Sequence, residues 1–117
     1  MKVHLIVNGR RLTATLVDSP TTRDFLSLLP LTLTLKDYAG TEKIAYLSRK
    51  LTEEGAPDGV DPSVGDITYY APWGNLALFY RDFGYSTGLI KLGSLDEGVE
   101  LFSAADSMTV AIESVRE

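Results

Sequence analysis

Apolar and polar residues alternate with a period of two along most of this chain, the spacing of strands that bury one face. Residues 1–7 alternate and break at Asn8-Gly9, a pair that accepts positive φ at both positions and so suits a tight hairpin. Residues 10–17 place Leu12, Ala14 and Leu16 on one face and Arg11, Thr13 and Thr15 on the other. The period then changes. Ser19 before Pro20 reads as an N-cap with proline at the first helical position, and Thr21 with Asp24 is an alternative capping pair. Phe25, Leu28 and Leu29 share a helical stripe, which predicts a helix of about ten residues ending at Pro30. After it, Leu31, Leu33 and Leu35 alternate with Thr32, Thr34 and Lys36, and residues 43–47 form a further short strand.

Residues 48–65 are polar and rich in turn formers, a long connection for a small domain. Residues 66–71 and 75–80 are apolar strands separated by Pro72-Trp73-Gly74, and residues 89–92 form another. Ser94 and Glu97 read as the capping box of a second short helix carrying Leu95, Val99 and Phe102, although Gly98 inside it costs about 1 kcal/mol relative to alanine. Residues 107–115 make the last strand, directing Met108, Val110 and Ile112 inward. About eight strands with one helix near each end have too many hairpins and too few crossovers for a parallel sheet. The pattern predicts a mainly β, closed eight-stranded barrel, its ends plugged by two short helices that bury Phe25 and Phe102.

Composition narrows the function. At 117 residues the chain is one domain against a guide of about 150 residues per domain. It has no Cys, which removes disulfides, thiolate metal sites and a thiol nucleophile and suits a reducing compartment. A net charge of −5 gives phosphate backbones and anionic lipid nothing to bind, so neither nucleic acid nor membrane is an expected partner. No apolar run approaches the roughly 20 residues that cross a bilayer, and the first nine residues lack the form of a signal peptide, so a cytoplasmic location is expected. Acidic pairs occur at Glu53-Glu54 and Asp96-Glu97, and Asp58 with Asp61 is too sparse for a metal site, so no metal and no cofactor is expected.

Residues 62–80, PSVGDITYYAPWGNLALFY, and residues 84–93, GYSTGLIKLG, resemble the small cyclophilin-like proteins of bacteria and archaea, with the Ala-Pro-Trp-Gly-Asn run the most specific part. The resemblance spans essentially the whole chain and implies a closed eight-stranded barrel capped by two helices. In true cyclophilins prolyl isomerisation uses an arginine at the amide nitrogen, a glutamine, a phenylalanine-lined proline pocket, and a tryptophan and histidine at its rim. An arginine donating to that nitrogen favours the twisted amide over the planar one, whose resonance resists rotation by about 18–20 kcal/mol. This chain has no Gln, and its one His, His4, lies in the first strand.

The resemblance places Arg49, just after the strand at 43–47, roughly where the cyclophilin arginine leaves its strand; the bland alternative is a solvated loop residue beside Lys50. Asn75, Ala77 and Phe79 share one face of their strand while Leu76, Leu78 and Tyr80 share the other. One set must fill the barrel, and the other is either core beneath the long loop or the wall of an outer hydrophobic site with one amide to fix a ligand. Trp73, in its turn, either covers something or is exposed, and Tyr70 and Tyr85 offer hydroxyls. The expectation is a surface groove bordered by Arg49, Tyr70, Trp73, Asn75, Phe79 and Tyr85, lidded by residues 52–61, that binds a small molecule or an extended peptide. Two alternatives stand beside it: a weak prolyl isomerase in which Arg49 is catalytic, and an accessory domain that contacts a partner in a multi-component enzyme system.

Overall fold

A computed structural model describes residues 1–115 of the chain. In order it contains β1 (Lys2–Val7), β2 (Arg10–Leu16), α1 (Pro20–Leu26), β3 (Leu31–Tyr38), β4 (Glu42–Tyr46), β5 (Gly59–Val60), β6 (Asp66–Tyr70), β7 (Asn75–Phe79), β8 (Ser86–Thr87), β9 (Leu89–Leu95), a 3₁₀ turn (Val99–Ser103) and β10 (Ser107–Ser114). Eight strands close into an antiparallel barrel in the order β1-β10-β3-β4-β7-β6-β9-β2, while β5 and β8 pair as a separate two-stranded ribbon. Closure leaves the barrel no unpaired edge, the feature that would otherwise invite association with another chain. Among the described residues no helix is long and apolar enough to cross a membrane.

The predicted alternation sets the register. Asn8 at φ 50° and Gly9 at φ 77° make the tight turn that brings Val7 opposite Arg10. Val3, Leu5 and Val7 of β1, with Leu12, Ala14 and Leu16 of β2, are then all buried inside the barrel. Phe25 of α1 and Phe102 of the 3₁₀ turn are both buried at opposite ends of the cylinder, each burial worth about 2–3 kcal/mol. Ser19 caps α1 by accepting from the Thr22 amide at 3.1 Å.

The helices differ from the prediction. The first spans seven residues, because after Leu26 the chain tightens into i→i−3 bonds (Leu28 N to Phe25 O, 3.0 Å; Leu29 N to Leu26 O, 3.2 Å) before Pro30. Thr21 and Asp24 do not cap it: the Thr21 hydroxyl and the Asp24 carboxylate both bond to Thr52 of the long loop. The second helix is a 3₁₀ turn. Ser94 stays in β9, opposite Thr15, and the Glu97 carboxylate accepts from the Thr13 amide and hydroxyl. Gly98 enters the turn at φ 83° with Leu12 pressed against it, so that a Cβ would fall 2.6 Å from a Leu12 methyl. Packing of the first hairpin therefore decided a segment whose local pattern suited a helix.

Inside the barrel one charge is almost wholly enclosed. Lys43 is 1% exposed, and its ammonium donates to Asp37 Oδ1 at 2.8 Å while lying 4.7 Å from the centre of the Tyr80 ring. The Tyr80 hydroxyl donates to the same oxygen, and Asp37 Oδ2 accepts from the Gly40 amide at 3.0 Å. Bonding to Lys43 and Tyr80 holds the Asp37 carboxyl below its ordinary pKa. Asp37→Ala leaves the enclosed ammonium unpaired and is expected to cost about 3–5 kcal/mol in urea unfolding, whereas Lys43→Met costs far less because it removes the buried charge itself. Equal losses in the two variants would contradict this.

Candidate ligand-binding site

Where β4, β7 and β6 run side by side, both faces of the sheet are apolar. All five residues of β7 are buried: Leu76 and Leu78 point into the barrel, while Asn75, Ala77 and Phe79 point out. Outside, Ala77, Phe79 and Leu89 form a second hydrophobic cluster with Ile44, Val60 and Tyr70, separate from the main core. Strand pairing sets the rows: Tyr38 opposite Glu42 opposite Phe79, then Ile44 opposite Ala77 opposite Thr68, then Tyr46 opposite Asn75 opposite Tyr70. Above these rows lies a cavity of about 150 Å³ walled by Tyr38, Glu42, Ile44, Tyr70, Trp73, Asn75, Phe79, Phe83, Ser86 and Leu89.

The Pro72-Trp73-Gly74 turn supplies the cover. It is held by the Trp73 and Gly74 amides donating to Tyr70 O at 3.3 and 2.9 Å, with Gly74 at φ 73°. Gly88 lets the turn close, since a Cβ there would lie 2.8 Å from the Pro72 ring. The Trp73 ring folds back across the outer face, meeting Tyr70 edge-on at 5.3 Å and Tyr38, from the other end of the strand rows, at 5.6 Å. Phe83 packs on Phe79 at 5.7 Å from the far side. Trp73 and Phe83 remain 46% and 48% exposed, so the cavity opens between two rings that are each half in water.

Two polar groups in this apolar setting stand out. Asn75 is 2% exposed; its amide nitrogen donates to Leu76 O at 3.0 Å, but its Oδ1 is buried with no hydrogen-bond partner among the described residues, a state that costs about 1–3 kcal/mol. Glu42 is 8% exposed, with one long bond from the Thr41 hydroxyl at 3.4 Å and, among the described residues, no cation within 4 Å. Burial pushes its carboxyl up to about 7, the Thr41 bond opposing and the neighbouring Asp37 charge adding to the rise.

Of the six residues expected at the groove, Tyr70, Trp73, Asn75 and Phe79 line this cavity and Arg49 and Tyr85 do not. The Arg49 guanidinium lies 2.7 Å from Asp24 Oδ1 and 3.0 Å from Ser27 Oγ, clamping the loop to α1. Asp24, bonded by Arg49 and by the Thr52 amide, has its carboxyl held below the ordinary range. Tyr85 is 63% exposed and its ring lies beside Gly59 of the small ribbon. Residues 52–61 do not cover the cavity. Thr52 is bonded to α1, and Gly59–Val60 pairs with Ser86–Thr87, so the loop borders the outer cluster through Val60. Glu42 and Tyr38 escaped the sequence reading because their strands were ended at Lys36 and begun at Lys43. The spacing Glu42, Ile44, Tyr46 is the signal that would have found the first of them; Phe83, in an irregular segment, has none.

A family model described as the Cyclophilin-like family matches residues 5–113. Among solved structures, the solution structure of a hypothetical protein, AF2241 from Archaeoglobus fulgidus, superposes with a TM-score of 0.73 at 17% identity, covering 97% of this chain and 93% of that one. At that identity the likeness establishes a shared fold. No curated protein matches this chain.

A carboxyl whose folded pKa lies above its ordinary 4.5 makes the folded state bind protons more tightly than the unfolded one. Its stabilising contribution is complete below pH 4.5 and is lost as pH rises to about 7. The loss approaches about 3 kcal/mol at 1.36 kcal/mol per pKa unit. Glu42→Gln is expected to abolish that decline when urea unfolding is compared across this window; an unchanged decline in the variant would assign it to other groups.

Proposed function

Because this chain belongs to the cyclophilin-like family, we propose that its outer-face cavity binds a small molecule or an extended peptide segment, contacted by Tyr70, Trp73, Asn75 and Phe79. One observation supports the reading: an aromatic cavity, bordered by the half-exposed rings of Trp73 and Phe83, lies on the part of the barrel that is apolar outside as well as in. The chain itself buries the outer face of β7 but leaves the Trp73 and Phe83 rings at the cavity half in water, apolar surface that folding alone does not cover. A ligand in the cavity covers those rings, and binding sites are apolar concavities with a few placed polar groups.

Prolyl isomerisation draws less support. Among the described residues no arginine lines the cavity, and the donors of Arg49 are committed to Asp24, Ser27 and the Lys50 carbonyl. Partner contact of the accessory kind is favoured in second place by the half-exposed rim of Tyr38, Trp73 and Phe83.

A fragment screen followed by amide chemical shifts tests the site. Bound fragments are expected to perturb Tyr70, Trp73, Asn75 and Phe79, and Ile44→Trp, which adds bulk from a half-buried position in the cavity wall, weakens them by about tenfold or more. Arg49→Ala leaves binding unaltered. Perturbations centred on Arg49 and α1, or an Arg49-dependent rate in a proline isomerisation assay, would overturn the proposal.

A further inference from the structure

The chemistry of the cavity's lining specifies the charge of its ligand, an inference that rests on the cavity being a binding site. Among the described residues, no lysine or arginine lines it. What it presents is the Glu42 side chain at one end of the strand rows, the buried Asn75 at the other, the Ser86 side chain, and the rings of Tyr38, Tyr70, Trp73, Phe79 and Phe83. Aromatic faces carry negative potential and a carboxylate accepts; the Tyr38, Tyr70 and Ser86 hydroxyls can accept or donate, so the one full charge in the lining is the acidic Glu42.

The neighbouring hairpin shows how this protein treats a buried charge. On the inner face, Lys43 is enclosed with Asp37 as its counter-ion at 2.8 Å; on the outer face, Glu42, the residue before it, is also buried and has none among the described residues. An ionised carboxylate in such a place is costly unless an opposite charge joins it. We propose that the cavity takes an alkylammonium group, primary or methylated, whose charge pairs with Glu42 and whose alkyl part lies among the aromatic rings. A volume of about 150 Å³ suits such a head on a short chain, being the size of cavity that admits a benzene ring. A cation over an aromatic face of the cavity wall gains further from that ring. The group is carried either by a free amine or by a lysine side chain of a peptide, which share this chemistry.

Trp73 is the one tryptophan in the chain and stands at the mouth of the cavity, so its fluorescence reports occupancy directly. Titrations at about pH 8, where Glu42 is ionised, use butylammonium, N-acetyl-lysine methylamide, butanol and butyrate. Either amine is expected to bind at least about tenfold more tightly than butanol, with butyrate weakest. The two amine arms distinguish the free source from the peptide one. Glu42→Gln, which removes charge without changing shape, erases the preference, and Phe83→Leu, at a half-exposed position, weakens the amine several-fold. Butanol binding as tightly as the amines, unaffected by Glu42→Gln, would overturn the charge assignment while leaving the cavity a binding site. No response to any of the four, and no fragment perturbing the cavity residues, would overturn both.

Discussion

Closure of the sheet is the constraint on which everything else hangs. In a closed barrel every strand is hydrogen-bonded on both sides, so a one-residue slip of any strand would invert its inside and outside and break two ladders at once. Register is therefore rigid, and each residue is committed to the interior or the exterior. Most strands have a wet exterior, as the Arg11, Thr13 and Thr15 face of β2 shows. Around β7 the exterior is apolar too, and the chain covers it with the Pro72-Trp73-Gly74 turn, the β5–β8 ribbon and Phe83. That cover is incomplete, and the gap is the cavity.

The β3–β4 hairpin puts two carboxyls to opposite uses. Asp37 faces the enclosed Lys43 and the Tyr80 hydroxyl, ties down its own turn through the Gly40 amide, and is held ionised by those bonds. Glu42, on the other face of the same hairpin, meets aromatic rings and one distant hydroxyl, and burial favours its neutral form. The difference lies in which side of the sheet each occupies, since both are acidic residues on adjacent strands. A paired charge inside and one outside without a counter-ion among the described residues make one hairpin both a structural clamp and a wall of the cavity.

The strand alternation, the Asn8-Gly9 turn, the Ser19 cap and the burial of Phe25 and Phe102 were all readable from residue order, because each is set by a period or a local bond. The placement of Asn75 and Phe79 on one face followed from the same rule. The fate of residues 94–103 did not: Ser94 and Glu97 have the local form of a helix cap, but strand pairing with Thr15 and contact of Gly98 with Leu12 outweigh a cap worth about 1 kcal/mol. Arg49 shows the limit from another side. Its distance along the chain from Asp24 gave no hint that a loop would carry it to α1 rather than to the cavity.

Read alone, the order of residues determined that this protein is a closed barrel with plugged ends, and that β7 has something to cover on its outer side. Those conclusions need only side-chain alternation and local turn chemistry. Tertiary structure alone decided that Trp73 folds back to Tyr38, that Glu42 is enclosed without a counter-ion among the described residues, and that Arg49 belongs to a clamp. Each of these depends on contacts between segments far apart in the chain, and the energy of such contacts is set by which groups closure brings together, which no local pattern encodes.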